Sequence, residues 1–327
     1  GIVKGELRGK TVEANSYYDR YTREEEKLVS YKEKGGFYRH IYSLPCRWRR
    51  AKYHDKVVRV YQQGFDAPAL LNNSEVIVSL TTFPPRISQP HLVLKSILWQ
   101  TYVPADIIVW LSEQEFPGRL NDLPEELRKL TANGVKFKFV PENFRSHKKY
   151  YYVFREYPDH KVITVDDDLI YPRNTIERLL SLSYQYPDTV CGNVIRKIRM
   201  DGNTFSVYRK WPKVFMMPVN SSLQNVAIGC GGIYYPSRWY GEELFDWKII
   251  SEHCPFADDL WLKANELKRR INVTGGGEFY PRPIELPQTQ NNSLQKKNNG
   301  KINLNDKQWK SLNELWKLDE LYCINGK

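Results

Sequence analysis

The sequence contains few cysteines and no long apolar run, and both absences exclude classes of protein. No stretch approaches about 18 uninterrupted apolar residues, so we predict no membrane-spanning helix. The cysteines are odd in number, scattered and without a CxxC pair, which disfavours a disulfide framework or a zinc site. We therefore predict that all five are buried free thiols in a reducing compartment: Cys46, Cys191, Cys230, Cys254 and Cys323.

Positive charge is concentrated near the N-terminus. The chain carries a net charge of +11, and residues 1–60 supply +7 of it, from 15 Lys and Arg against 8 Asp and Glu. Between Phe37 and Tyr61 the basic residues are interleaved with aromatic ones. This pattern is compatible with a solvated helical face, with contact to an anionic membrane surface, or with nucleic-acid binding. Nucleic acid is disfavoured because no recognition-helix, zinc-finger or RNP signature accompanies the charge.

From residue 75 onward, short apolar runs alternate with segments of helical spacing. The order predicts an α/β fold with a mostly parallel central sheet and helices on both faces. The predicted strands are Glu75–Phe83, Asp106–Leu111, Val135–Val140 and Lys161–Val165, with strand-like pieces at Thr204–Tyr208 and Val226–Tyr235. The predicted helices are Ser88–Gln100 with Ser88 as N-cap, Pro124–Leu130, His147–Tyr157, Ala257–Arg270 and Asp306–Leu318.

Composition also suggests three regions. Residues 1–70 form a basic, aromatic-rich helical extension, and residues 71–290 form the α/β domain. Residues 291–327 read as a polar, Asn/Gln-rich linker followed by an amphipathic helix. In an open α/β sheet, ligands bind at the carboxyl ends of the strands, so the residues that follow each strand are the functional candidates.

Three consecutive aspartates, Asp166, Asp167 and Asp168, directly follow the apolar run KVITV. Adjacent carboxylates repel one another unless a positive group lies among them. In an extended segment Asp166 and Asp168 would share one face and Asp167 would point to the other. Two oxygen donors on one face suit Mn²⁺ or Mg²⁺ already chelated by a diphosphate. The alternative is an acidic turn in which an aspartate caps a helix beginning at Pro172.

Four segments of the sequence, taken in their order along the chain, resemble a known family of enzymes. They are SLTTFPPRI (Ser79–Ile87), KKYYYVFREYPDHKVITVDDDLIYP (Lys148–Pro172), GCGGIYYP (Gly229–Pro236) and CPFADDLWL (Cys254–Leu262). Together they resemble bacterial glycosyltransferases of the GT-A (Rossmann-like) fold, closest to family-2-like enzymes that build surface polysaccharides. The resemblance covers about residues 75–318 and leaves residues 1–70 without a counterpart.

The resemblance implies roles for the donor-side residues. It implies that Asp168 is a metal ligand and that Asp166 lies near the ribose or shares the metal. It implies that the nucleotide sugar contacts Thr81, Thr82, Arg86, Lys149, Asp166, Asp167, Gly231 and Gly232. Four of them have a plainer alternative: Arg86 as a surface loop arginine, Lys149 as a solvated lysine, and Gly231 and Gly232 as a tight strand bend.

The resemblance also points to the acidic pair at the start of the predicted helix after Ala257. It implies that Asp259 is the base of an inverting reaction and that Asp258 is a neighbour that binds or orients the acceptor. A carboxylate within hydrogen-bond reach of an attacking hydroxyl can remove its proton. The alternative is structural, since acids in the first turn of a helix stabilise it.

We therefore expect a glycosyltransferase that depends on Mn²⁺ or Mg²⁺ and uses a nucleotide-sugar donor, with UDP as the expected nucleotide. The expected acceptor is a hydroxyl of a bacterial surface glycan or a lipid-linked glycan. We expect a cytoplasmic enzyme that rests on the anionic inner face of the membrane. Two alternatives remain: a glycan- or polyanion-binding module without catalysis, and a sugar nucleotidyltransferase. The second is disfavoured because TTFPPRI after the first strand has no glycine for a phosphate loop.

Overall fold

The computed structural model describes residues 2–64, 67–70, 74–214, 219–236, 240–275, 280–287 and 303–323. The strands within these ranges are β1 (Val76–Thr81), β2 (Asp106–Ser112), β3 (Val135–Val140), β4 (Lys161–Thr164), β5 (Leu169–Ile170), β6 (Thr189–Gly192), β7 (Ile195–Lys197), β8 (Met200–Asp201), β9 (Thr204–Phe205), β10 (Lys213–Val214), β11 (Val219–Ser222), β12 (Asn225–Ala227), β13 (Ile233–Pro236), β14 (Asn272–Gly275) and β15 (Ile284–Glu285). The helices are α1 (Ile2–Lys34), α2 (Gly36–Ile41), α3 (Ser43–Gln62), α4 (Pro90–Leu98), α5 (Glu125–Lys129), α6 (Lys148–Glu156), α7 (Thr175–Gln185), α8 (Trp247–His253), α9 (Asp258–Arg269), α10 (Leu304–Trp316) and α11 (Leu318–Cys323).

The predicted α/β fold is confirmed. Eight strands form one sheet in the order β11-β14-β6-β13-β4-β1-β2-β3. The ladders between β1 and β2, β1 and β4, β2 and β3, and β6 and β14 are parallel. Strand β13 runs antiparallel between β4 and β6, and β11 is an antiparallel edge strand. The sheet is therefore mixed but mostly parallel.

Helices cover both faces of this sheet, as predicted. Side chains that alternate along β1 enter two separate cores, because successive residues of a strand point to opposite faces. Val76 and Val78 pack with α4 and α7, whereas Ile77 packs with α6 and α9. The carboxyl ends of β1 and β4 lie side by side, since Ser79 pairs with Thr164. Residues that follow these two strands are thereby brought together.

Several predicted elements need correction. The N-cap of α4 is Gln89 rather than Ser88, because a short 3-10 turn over Pro84–Arg86 delays the start of the helix. The predicted strand over Val226–Tyr235 is divided into β12 and β13 by a 3-10 turn at Gly229–Gly231. The strand-like piece Thr204–Tyr208 contributes only the two residues of β9.

The N-terminal extension is a helical hairpin whose root belongs to the main core. Helices α1 and α3 run antiparallel, and Tyr18, Val57 and Tyr61 are buried in the same core as β1. The Tyr18 hydroxyl donates a hydrogen bond to the Ile170 carbonyl at 3.0 Å. His54 Nε2 lies 2.8 Å from the Glu285 carbonyl. The hairpin therefore supports the small ladder formed by β5 and β15.

The structure bears on the predictions about the cysteines, the membrane-spanning helices and the C-terminal region. All five cysteines are free, as predicted, but Cys230 and Cys323 are partly exposed rather than buried. Within the parts of the chain that the structure describes, no helix has both the length and the apolar character needed to cross a membrane. The predicted linker at 291–302 lies outside the described residues, and the predicted closing helix is α10.

Candidate active site

The aspartate triplet lies in a turn between β4 and β5. Strand β4 ends at Thr164, so the alternation of an extended strand does not continue through the triplet. Arg86 Nη1 lies 2.6 Å from Asp167 Oδ1 and 3.1 Å from Asp168 Oδ2. The expectation that Asp167 points away from Asp168 is therefore wrong, because one guanidinium joins both carboxylates.

The helix-capping alternative for the triplet is also wrong. The triplet leads into β5, and α7 begins only at Thr175, after Asn174 as its N-cap. The backbone carbonyl of Asp168 accepts a hydrogen bond from Leu286 N at 3.0 Å, so the β15 segment holds the far side of the turn. The turn is thus fixed by long-range contacts rather than by a local helix start.

Arg86 reaches the triplet because the parallel strands β1 and β4 end at the same edge of the sheet. The 3-10 turn after β1 carries the side chain across, where it is buried rather than exposed on a loop. Thr82, on the same connection, is buried and its hydroxyl has no hydrogen-bond partner among the described residues. Thr81 instead donates to the Trp110 carbonyl at 2.8 Å. Contact between these three residues and a nucleotide stays a prediction.

Lys149 joins the triplet to the second acidic site. Its Nζ lies 2.9 Å from Asp166 Oδ1 and 2.8 Å from Asp258 Oδ2, and its side chain is only 7% exposed. The alternative of a solvated lysine is therefore wrong. Burial alone would lower the pKa of Lys149, but the two carboxylates outweigh it and raise that pKa well above its usual value. Lys149 is thus a permanent cation between two acidic groups.

The paired aspartates at the start of α9 have opposite protonation behaviour. Burial acts to raise the pKa of Asp258, but the Lys149 ammonium outweighs it and holds the pKa below its usual value. The pKa of Asp259 is raised to about 7, by burial and then by the neighbouring Asp258 charge. Two adjacent carboxyls with pKa values pushed apart are typical of acid–base sites.

Neither aspartate acts as a conventional cap of α9. The N-cap is Ala257, which makes no side-chain capping bond. Asp258 pairs with Lys149, and Asp259 Oδ2 accepts a hydrogen bond from Gly229 N at 3.0 Å. Asp259 Oδ1 is buried and has no partner among the described residues. One oxygen of Asp259 is therefore anchored and the other is left to accept a proton.

The glycine turn between β12 and β13 packs against this cluster. A Cβ on Gly229 would lie 3.1 Å from Asp166 Oδ1 and 3.2 Å from Lys149 Nζ. A Cβ on Gly231 would lie 2.7 Å from both Val194 Cγ2 and the Val194 backbone nitrogen, and Gly232 has a φ of +77°. The packing of the chain itself accounts for glycine at positions 231 and 232. Their contact with a sugar stays a prediction.

We expect Gly231→Ala to lower the free energy of unfolding by about 1–3 kcal/mol, because the new methyl group overpacks against Val194. Gly9→Ala is a control variant for which we expect the opposite change in the free energy of unfolding. Gly9 lies within α1 with open space around it, so alanine should stabilise the helix by up to about 1 kcal/mol. Urea denaturation followed by circular dichroism measures both. Equal stability of the Gly231 variant and the parent would contradict the prediction.

A buried histidine that no sequence motif indicated links α6 to the segment before α9. His147 Nε2 lies 2.9 Å from the Cys254 carbonyl, and Nδ1 lies 2.9 Å from the Tyr150 hydroxyl. A carbonyl can only accept, so Nε2 carries the proton and Nδ1 accepts from Tyr150. Burial lowers the pKa of His147 to about 4, which keeps the ring neutral. His147 therefore joins the start of α6, which carries Lys149, to the segment before α9, which carries Asp258, without adding charge.

The charges of the site do not balance. Its five carboxylates face two cations, an excess of three negative charges when all are ionised: Asp166, Asp167, Asp168, Asp258 and Asp259 against Arg86 and Lys149.

Burial, followed by the charge of Asp167, raises the pKa of Asp168 to about 7. The excess charge and the oxygen donors fit Mg²⁺ or Mn²⁺. Among the described residues, however, no group of three or more His, Cys, Asp or Glu side chains is arranged to hold a metal. Phosphate oxygens of a bound ligand would have to complete the coordination.

Comparisons with known proteins find distant structural similarity only. No protein-family model matches the chain, and no curated protein matches its sequence. The match to residues 1–349 of S. aureus TarS in complex with UDP has 15% identity and a TM-score of 0.41, and it covers 63% of this chain and 59% of that one. HddC from Yersinia pseudotuberculosis is 11% identical with a TM-score of 0.36, over 68% of this chain and 98% of its own. UTP-bound UGPase from Acinetobacter baumannii is 10% identical with a TM-score of 0.38, over 77% and 99%.

The match to the TarS fragment spans about three fifths of that fragment. Similarity at these identities and scores says nothing about the reaction or ligand of this chain. The chemistry of the site must therefore be argued from its own residues.

Proposed function

We propose that this protein is an inverting glycosyltransferase that moves a sugar from a nucleotide-sugar donor to an acceptor hydroxyl. The proposal rests on the protonation and hydrogen bonding of the Asp259 carboxyl. Its carboxyl has a pKa of about 7, one anchored oxygen and one unpartnered oxygen, and it is linked through Lys149 and Asp258 to the aspartate triplet. A base with a pKa near the working pH is the most effective proton acceptor.

In the proposed step the acceptor oxygen attacks the anomeric carbon of the donor sugar. The new carbon–oxygen bond forms as the bond from that carbon to the diphosphate oxygen breaks, and the nucleoside diphosphate leaves with the electron pair. The hydroxyl proton passes to Asp259 Oδ1, while the Gly229 amide holds Oδ2. Attack from the face opposite the leaving group inverts the anomeric configuration.

Asp258 and Lys149 set the basicity of Asp259 in this scheme. Lys149 keeps Asp258 ionised, and the charge of Asp258 raises the pKa of Asp259 toward neutrality. Without Asp258, Asp259 would be a weaker base. Asp258 is therefore proposed as a residue that tunes Asp259, in addition to any contact with the acceptor.

The donor diphosphate is proposed to bind at the triplet. Asp168 and Asp166 would hold Mg²⁺ or Mn²⁺ together with phosphate oxygens, and such an ion neutralises charge on a departing diphosphate. Arg86 already pairs with Asp167 and Asp168, and its guanidinium has further donors for a phosphate. UDP as the nucleotide and a bacterial surface glycan as the acceptor rest on the sequence resemblance alone.

Thermal unfolding with UDP, GDP, CMP or ADP, each with Mn²⁺ or with EDTA, tests the donor site. One nucleotide is expected to stabilise the protein only with the metal, by about 2.7 kcal/mol at 100 times its dissociation constant. Asp168→Asn should abolish this stabilisation. Asp159→Asn, which replaces an exposed aspartate outside the site, should retain it. Absence of any nucleotide response in the parent protein would refute the transferase proposal and favour a binding module.

A further inference from the structure

The outer part of the N-terminal hairpin forms an arm, defined here as residues 23–52. The root of the hairpin packs on the main core through Tyr18 and Val57, whereas the arm is held together by ion pairs between its own helices. Arg49 Nε lies 3.0 Å from Glu24 Oε2, and Arg50 pairs with Glu25. These pairs fix α3 against α1 and determine which side chains face outward.

The end of the arm exposes large apolar side chains. Ile41, Leu44 and Trp48 are 49%, 63% and 66% exposed, and they fall within eight consecutive residues. The chain reverses at Gly35 and Gly36, which have φ values of +66° and +53° and open space around them. A single exposed apolar residue is ordinary, but a cluster of them marks a surface that binds something apolar.

The same surface is strongly basic. Residues 23–52 contain nine Lys and Arg against four Glu, a net charge of +5. Arg49 and Arg50 are used between the helices, but Arg47 and Lys52 are exposed beside the apolar cluster. Lys52 Nζ lies 5.3 Å from the centre of the Trp48 ring. Cationic and apolar groups therefore lie on one outward surface of the arm.

Further positive charge lies at the root of the hairpin, near the main domain. An open groove of about 450 Å³ at the root of the hairpin is lined by Arg20, Arg23 and Arg173, together with Asp19. The neighbouring face of the hairpin contacts the β15 segment, whose Leu286 amide bonds the Asp168 carbonyl. The root of the hairpin, which carries the arm, is thus joined to the candidate active site through directly packed elements.

We propose that the arm docks the protein on an anionic phospholipid surface, with Ile41, Leu44 and Trp48 entering the boundary between headgroups and acyl chains. The charge complements acidic headgroups, and each Lys or Arg near such a surface adds attraction. A tryptophan and two aliphatic side chains gain free energy at this boundary. A nucleic acid would satisfy the charge but would leave the exposed isoleucine and leucine in water. This inference goes beyond the proposed reaction and requires no nucleotide sugar.

The test is co-sedimentation of the full chain with sucrose-loaded vesicles of phosphatidylglycerol and phosphatidylcholine, without nucleotide. We expect binding to these vesicles and little binding to phosphatidylcholine alone. Arg47→Glu/Lys52→Glu should weaken binding about 30-fold or more, given the contribution of each charge. Ile41→Ser/Leu44→Ser/Trp48→Ser should weaken it more than about tenfold, since apolar burial is lost.

Matched control variants alter the same kinds of residue elsewhere on the surface. Arg209→Glu/Lys307→Glu makes the same change of charge, and Leu120→Ser/Tyr184→Ser removes exposed apolar side chains. Both should bind vesicles as the parent does. Circular dichroism and thermal unfolding confirm that each variant is folded, which is expected because the substituted side chains are exposed.

Insertion is measured separately by tryptophan quenching with lipids brominated along the acyl chain. On binding to these lipids the parent should lose part of its tryptophan fluorescence. The Trp48→Phe variant should lose less, because Trp48 accounts for the quenched part. Equal binding to neutral and anionic vesicles, arm variants that bind as the controls do, or binding to duplex DNA without binding to vesicles would each overturn the proposal.

Discussion

Asp259→Asn is expected to abolish sugar transfer and at the same time to stabilise the folded protein at pH 8. The asparagine keeps the shape of the side chain but cannot take a proton from the acceptor, and loss of a general base typically costs about 10²–10⁴ in rate. The stabilisation follows from the raised pKa, because the folded protein resists ionisation of this carboxyl. Product formation and chemical denaturation measure the two effects.

The pH dependence gives the sign of the stability effect. The pKa of Asp259 rises from 3.8 to about 7 on folding. Between these values the folded state holds a proton that the unfolded state has lost, so the free energy of unfolding falls as the pH rises through this window. The full penalty, about 4 kcal/mol for a shift of this size, is present only above the folded pKa. The parent and Asp259→Asn should therefore be equally stable near pH 4 and diverge toward pH 8.

Asp258→Asn is the matched control, one residue away. It removes one of the two partners of Lys149, so it should destabilise the protein, by less than the about 3–5 kcal/mol of a broken buried pair because Asp166 still pairs with the lysine. It should also shift the pH–rate profile to lower pH, because the Asp258 charge raises the pKa of Asp259. In the parent, the rate should rise with pH through a midpoint near 7. A destabilised Asp259→Asn, or a pH–rate profile unchanged by Asp258→Asn, would contradict this assignment.

The sequence was sufficient to predict the sheet and the places where functional residues gather. Apolar runs such as Asp106–Leu111 are long enough to specify buried strands, and parallel strands necessarily end at a common edge. The polar residues after β1 and β4 could therefore be predicted as functional candidates from the sequence alone. The error within the triplet arose because the strand stops at Thr164, and nothing in the local sequence marks that end.

The connections between these groups could not be predicted, because they depend on packing between distant segments. Tyr18 and Ile170 are 152 residues apart in sequence, and His54 and Glu285 are 231 apart. The placement of Lys149 between Asp166 and Asp258 likewise depends on how α6 and α9 pack against one face of the sheet. Sequence spacing carries no information about such contacts, so the bridge made by Lys149 could not be predicted, and contact between Lys149 and a nucleotide sugar stays a prediction.

Lys149→Met is expected to have the largest effect on stability of any single substitution in the site. The methionine fills the volume of the side chain but leaves Asp166 and Asp258 facing each other without a cation. Removing one partner of a buried pair costs about 3–5 kcal/mol, because the remaining charge is uncompensated. We expect transfer activity to fall as well, since the pKa of Asp258 would rise and Asp259 would no longer be tuned by a permanent negative neighbour.

Lys148→Met is the matched control, since Lys148 is also buried and adjoins Lys149. Its ammonium lies 2.9 Å from Asn143 Oδ1 and 3.4 Å from Glu115, whose side chain is 21% exposed. Water can reach that carboxylate after the lysine is removed, so the cost should be well below that of Lys149→Met. Denaturation of both variants in urea gives the comparison.

A double substitution separates the charge of Lys149 from its packing. If the lysine acts mainly by neutralising Asp258, adding Asp258→Asn to Lys149→Met should restore part of the lost stability, with a coupling energy of about 1–3 kcal/mol. If the lysine acts only as a packed side chain, the two losses should add. Additive losses, or a Lys148→Met variant as unstable as Lys149→Met, would show that the bridge between the triplet and the α9 carboxylates does not hold the site together. The double variant should nevertheless show the pH–rate profile of Asp258→Asn, shifted to lower pH, because Asp259 would then lack the charge that raises its pKa.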